Sequence, residues 1–122
     1  MGSDTADCIF CKVIKKELPA QVLQESDDIV IIPDIRPSAP IHYLAIPKRH
    51  ISSIKNTTRE DELLLGRLII MAKDAADQLG LSGYKLVFNV GKDGGQIIDH
   101  IHLHLLGGWK PEESHNVKGV TV

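Results

Sequence analysis

The stretch His100–Gly107, HIHLHLLG, decides how the chain is read. His100, His102 and His104 stand at every second position, separated by Ile101 and Leu103. A period of two is the pattern of a β-strand. The three imidazoles then share one face, while Ile101, Leu103 and Leu105 point the other way into a core. With its flanks the strand covers IDHIHLHLLG, 98–107, and it follows a glycine-rich turn, GKDGGQ, 91–96. YKLVFNV, 84–90, reads as the strand before that turn. Further upstream, Leu64, Leu65, Leu68, Ile69, Ala72, Ala75, Ala76 and Leu79 repeat at helical spacing. Thr57 and Glu60 have capping-box spacing for that helix, and Gly80 suits its C-terminal cap. QVLQ and DIVIIPD read as two strands joined at Ser26–Asp28, and HYLAIPK as a third after the rigid link RPSAP. Near the start, Asp7 can cap a short helix, DCIFCKVIKKEL, that Pro19 helps to end. Two helices against a mostly antiparallel five-stranded sheet make an α+β fold.

Length and charge narrow the function. The 122 residues allow one domain, 1–122, with the motif-bearing core at about 8–108 and a patternless tail at 109–122. Fourteen basic against sixteen acidic residues leave no basic surface for nucleic acid or anionic lipid. No apolar run has the length of a membrane span, and the start, MGSDTAD, is polar. The chain is expected in the cytoplasm, with the nucleus as a second compartment. Its only cysteines, Cys8 and Cys11, are three apart, a spacing that suits a metal or redox pair better than a structural disulfide.

Three alternating histidines invite a metal reading, but strand geometry opposes a single shared ion. Residues two apart lie about 6.7 Å from one another and residues four apart about 13 Å. Bonds of about 2.0–2.1 Å to one metal cannot span that without a sharp bend. Separate roles fit better. A neutral imidazole is a good nucleophile toward phosphorus and a good leaving group, so it can carry a transient nucleotidyl group. In Gly94, Gly95 and Gln96 the turn can bring backbone N–H groups close to an anion, although hairpins also use glycine pairs for φ > 0 alone.

HIHLHLL matches the histidine triad pattern. With DIRPSAPIHYLAIPKRHIS (34–52), GYKLVFNVGKDGGQ (83–96) and HIHLHLLGG (100–108), the chain resembles the nucleotide-binding (Hint) branch of the histidine triad superfamily over roughly 8–108. The resemblance implies a fold of the same family and makes His102 the nucleophile toward the α-phosphorus of a nucleoside 5′-phosphoramidate. It gives His104 the phosphate contact and proton delivery to the leaving amine, and His42 completion of the proton network. Asp34 would bind the ribose hydroxyls, and Asn89, Gly95 and Gln96 the phosphate side. Ile9, Phe10, Ile32, Ile35 and Leu44 resemble the apolar walls around the base. Ile97, counted with the nucleotide site, departs from relatives that carry Ser or another polar residue there. The tail after Trp109 departs as well.

Cys8 and Cys11 with His50 and His100 form a candidate Cys₂His₂ zinc site. The resemblance supports it, because zinc-containing triad proteins place their ligands in this order. His100 would then hold structural zinc while His102 and His104 do chemistry; no organic cofactor is implied. The implied reaction releases a purine nucleoside monophosphate, AMP or GMP. Alternatives are a dinucleoside polyphosphate hydrolase and a nucleotide-binding, zinc-bearing interaction protein of weak activity. Leu63 and Ile70 lie outside the helical stripe. With the exposed edge of YKLVFNV they point to a homodimer.

Overall fold

The computed structural model describes residues 5–113. The first residues of MGSDTAD, and the tail from residue 114 to Val122, lie outside them. Five strands form one sheet in the order β1-β2-β3-β5-β4: β1 (Gln24–Glu25), β2 (Ile29–Pro33), β3 (Ile41–Pro47), β4 (Tyr84–Val87) and β5 (Leu103–Gly107). Every neighbouring pair is antiparallel. The register Leu44↔His104 and Tyr43↔Leu105 sets the chemistry of β5 beside the middle of β3.

The strands bury both faces, each against a different helix. On one face Ile31, Ala45, Leu103 and Leu105 pack with Leu68, Ala72, Ala75 and Ala76 of α2 (Glu62–Gln78). Its alanines present a smooth stripe to the strands, which allows close approach. On the other face Val30, Ile32, Leu44 and Ile46 pack with Phe10 of α1 (Ile9–Ile14). His42, Leu44 and Ile46 alternate with Tyr43 and Ala45, so His42 shares the α1 face. No helix among the described residues is long and apolar enough to cross a membrane.

Several boundaries differ from expectation. Cys8, not Asp7, caps α1, its Sγ accepting from the Cys11 N–H. The helix stops well before Pro19, because Lys16 turns left-handed at φ 64°. The Glu17 N–H then reaches the Lys12 carbonyl and the Lys16 N–H that of Val13. This is the closure glycine usually provides, and nothing in a lysine announces it. The capping box is Thr58 with Asp61, one residue beyond the expected pair, and Arg49 ion-pairs with Asp61. Thr57 instead donates its hydroxyl to the Ile54 carbonyl. Gly80 does close α2, at φ 76°, with Leu81 N–H donating to the Ala76 carbonyl. The first strand is two residues, and β4 ends at Val87, before Phe88-Asn89-Val90. The strand expected over 98–107 is regular only from Leu103, since the Ile101 N–H donates to the Ile51 carbonyl in the loop after β3.

Candidate functional site

The triad face is defined by which ring nitrogen each histidine commits. Peptide N–H groups only donate and carbonyls only accept, so their partners set the tautomers. The Ser38 N–H donates to His42 Nδ1 over 2.9 Å. Neutral His42 therefore carries its hydrogen on Nε2, which donates to His104 Nδ1 at 2.9 Å. That places the hydrogen of His104 on Nε2, a buried atom with no hydrogen-bond partner. His102 is the reverse. Its Nδ1–H donates to the His100 carbonyl at 2.7 Å, which puts the lone pair on Nε2. Two neighbouring rings, 5.0 Å between centroids, thus present a nucleophilic nitrogen and an N–H donor. Phe10 packs edge-on against His102, also at 5.0 Å.

Burial keeps His104 and His42 neutral. His104 is fully buried and its pKa is pushed down to about 3 by loss of solvation, then by His102 and His42. His42 is also held below the ordinary histidine value by burial, against the opposing pull of the Asp34 carboxylate. Charging either ring would cost solvation that the site does not return.

Asp34 follows β2. Its Oδ1 accepts from the Arg36 N–H at 2.8 Å, while buried Oδ2 has no hydrogen-bond partner and lies 3.4 Å from His42 Nε2. A buried carboxylate oxygen without a donor suits a hydroxyl-bearing ligand. Of the residues expected around a base, Phe10, Ile32 and Leu44 share one buried cluster, whereas Ile9 and Ile35 are exposed. Asn89 is half-buried, just after β4. The glycine turn is built differently from a ready cradle. The N–H groups of Gly94, Gly95 and Gln96 donate inward, to the carbonyls of Gly91, Lys92 and Gly91. Gly91 and Gly95 supply the positive φ that this turn needs, 71° and 91°. Gln96 commits both amide hydrogens, to the Ser52 and Ile98 carbonyls, and accepts from the Gly91 N–H. It staples the turn to the loop after β3. Ile97 is 64% exposed beside it and lines a cavity of about 410 Å³ with Ile9, Cys8 and His50.

A second cluster gathers Cys8, Cys11, His50 and His100, whose ligand atoms all lie within 4.8 Å of one another. His100 Nε2–H donates to the Pro47 carbonyl at 2.8 Å, so its Nδ1 lone pair faces the cluster. Nδ1 stands 3.3 Å from Cys8 Sγ, 3.6 Å from Cys11 Sγ and 3.1 Å from His50 Nδ1, which is 3.2 Å from Cys11 Sγ. A tetrahedron with Zn–S about 2.3 Å and Zn–N about 2.0–2.1 Å has edges of roughly 3.3–3.8 Å. The donors fit zinc in type, number and spacing. Burial raises the Cys11 thiol to about 11 and Cys8 adds to it, a cost that a dication facing both sulfurs would reverse. Asp34, His42 and His104 also come within 4.8 Å, but they do not suit a metal. There the Ser38 N–H forces a hydrogen onto the one His42 nitrogen that faces the group.

The family model described as "Scavenger mRNA decapping enzyme C-term binding" matches residues 7–118. Protein HitA of Neisseria gonorrhoeae is 42% identical over 102 residues, covering 83% of this chain and 95% of its own. A solved HIT family hydrolase from Legionella pneumophila is 50% identical with a TM-score of 0.83, covering 85% of this chain and 95% of its own. The chain belongs to the histidine triad (HIT) superfamily. Another solved HIT protein, a zinc-bound histidine triad family protein from Mycobacterium smegmatis, is 28% identical with a TM-score of 0.77, covering 90% of this chain and 81% of its own. In this HIT fold His100 and His102 lie just before β5 and His104 within it, so the strand expected to carry all three histidines carries only the last.

Sequence reasoning did not find the groups that fix the tautomers. The Ser38 N–H and the carbonyls of Pro47 and His100 are backbone atoms, and residue type carries no trace of their direction. Cys8 as a helix cap was equally hidden.

Proposed function

We propose that this HIT protein hydrolyses purine nucleoside 5′-phosphoramidates to the nucleoside monophosphate and an amine, through a nucleotidyl group on His102. The observation that carries the reading is the opposed tautomers of His102 and His104. A lone pair on His102 Nε2 attacks the α-phosphorus, and the neighbouring Nε2–H of His104 stabilises charge on the phosphoryl oxygens. The amine needs a proton as the P–N bond breaks. It takes that proton from a solvent water, and the hydroxide left behind cleaves the P–N bond to His102, returning neutral His102 and the monoanionic nucleotide, while His104 keeps its Nε2–H. Asp34 takes the ribose hydroxyls, and Phe10, Ile32 and Leu44, with Ile9 and Ile35, take the base. Gln96 and Gly95 act by holding the turn that carries Asn89 and Ile97 beside the phosphate.

Zinc on Cys8, Cys11, His50 and His100 is the structural part of the proposal. Four protein ligands leave no position for substrate, so the ion ties α1 to the loop after β3 and to the approach of β5. We assign the active form as a homodimer of cytoplasmic protein, formed across α2 and β4. Leu63 and Ile70 are 74% and 54% exposed, and β4 is an edge strand.

The description of the matching family model favours a second reading, hydrolysis of a dinucleoside polyphosphate or cap-like substrate. Turnover of adenosine 5′-phosphoramidate compared with diadenosine polyphosphates decides between them. Faster phosphoramidate turnover with a trapped adenylyl adduct on His102 is the expected result. Turnover of the polyphosphates alone, or an adduct on another residue, overturns it.

A further inference from the structure

The Nε2–H of His42 has two acceptors within reach and can serve only one fully. His104 Nδ1 is 2.9 Å away and is the one it bonds; Asp34 Oδ2 is 3.4 Å away. All three side chains are at least nine-tenths buried. Oδ2 has no hydrogen-bond partner, so in this dry setting it competes for the nearest hydrogen. If His42 turns toward the carboxylate, His104 loses the donor that keeps its own hydrogen on Nε2, and either tautomer becomes accessible.

We propose that the ribose of a bound nucleotide directs this hydrogen: a ribose hydroxyl donating to Asp34 Oδ2 leaves the His42 Nε2–H wholly to His104 Nδ1, and so holds His104 as an Nε2–H donor. The inference rests on the nucleotide reading above and deepens it. Asp34 becomes a positioning residue as well as a binding one, acting on the phosphorus end of the substrate through His42. Ligands that carry a diol set the proton network, and ligands without one leave it divided. Sugar recognition is thereby read out in the rate and not only in affinity.

The test uses the full chain with its metal retained. Ring ¹⁵N and N–H resonances of His42 and His104 are recorded with AMP and with 2′,3′-dideoxy-AMP. AMP should strengthen the His42–His104 hydrogen bond, moving both resonances, while bound dideoxy-AMP leaves them near their ligand-free positions. Equal shifts for both bound nucleotides, or none for either, overturn the coupling alone. Failure of both nucleotides to bind at millimolar concentration overturns the nucleotide reading and the coupling with it. In turnover, the dideoxy phosphoramidate should lose kcat by roughly tenfold or more, because the His104 donor to the phosphoryl oxygens is no longer held in one tautomer. In Asp34→Asn the carboxylate competitor is gone, so the kcat ratio between the two substrates should fall to about twofold or less while KM rises for the ribose form. A ratio unchanged in that variant overturns the proposal, and because both substrates meet the same variant, loss of folded protein cancels.

Discussion

Acidification offers a quantitative check on the neutral state of His104. His104 has a folded pKa near 3 because it is fully buried, against an ordinary histidine value of 6.5. A folded value below the unfolded one means that the unfolded chain binds the proton more readily. The stability is therefore intact above about pH 6.5 and is lost progressively as pH falls toward 3. At pH 5 an unfolded histidine is protonated about thirtyfold over neutral, while folded His104 remains neutral. At about 1.36 kcal/mol per pH unit the loss between pH 8 and pH 5 is about 2 kcal/mol from this residue alone. Because pH 5 lies far above the folded value, the unfolded pKa sets nearly all of that figure. His42 is shifted the same way and adds to the loss. Glu25 and Asp61, also held low, titrate only in more acid solution. Two measurements test this together. Urea unfolding at pH 8, 6 and 5 should show stability falling by at least about 2 kcal/mol, a large share of the 5–15 kcal/mol typical of a domain. A ¹⁵N titration should show the His104 ring uncharged down to about pH 4. Constant stability across that range, or a His104 midpoint above pH 6, would refute the claim that burial keeps the ring neutral.

His102→Ala should abolish turnover yet keep nucleotide affinity within about tenfold, or about 1.4 kcal/mol, since the imidazole bonds phosphorus only as reaction proceeds; undiminished turnover would remove it as nucleophile. Protein purified without chelator should hold one zinc per chain, and Cys8→Ser with Cys11→Ser should lose it and lower the melting temperature more than the rate of the folded enzyme. Less than about a tenth of an equivalent by elemental analysis, with no gain on adding zinc, would make these packed thiols. Light scattering should give twice the chain mass of 13.4 kDa, and Leu63→Glu with Ile70→Glu should halve it. Ile97→Ser should raise kcat if a missing donor beside the phosphate limits the reaction; an unchanged rate would clear Ile97, whose side chain is largely in solvent.

What could be read from the chain alone were the periodic and compositional facts. Alternation in HIHLHLL put His100, His102 and His104 on one face and Ile101, Leu103 and Leu105 on the other; the pairing of β3 with β5 bears this out from Leu103 onward, while His100 and His102 precede the strand. The 3.6-residue stripe placed Leu68, Ala72, Ala75 and Ala76 in the core, and Gly80 ended the helix. These signals are local, since a strand's faces and a helix's stripe follow from bond geometry whatever the rest of the chain does. Boundaries were less legible where a residue acted against type, as Lys16 does in a left-handed turn. Only the tertiary structure decided which nitrogen of each histidine works. His42 is turned by the Ser38 N–H, His100 by the Pro47 carbonyl and His102 by the carbonyl of His100. These histidines are the same residue type, and their sequence is silent about protons. Long-range packing brings different backbone atoms to each ring, and those atoms leave His102 a lone pair on Nε2, make His104 an Nε2–H donor and turn the Nδ1 lone pair of His100 toward the two thiols.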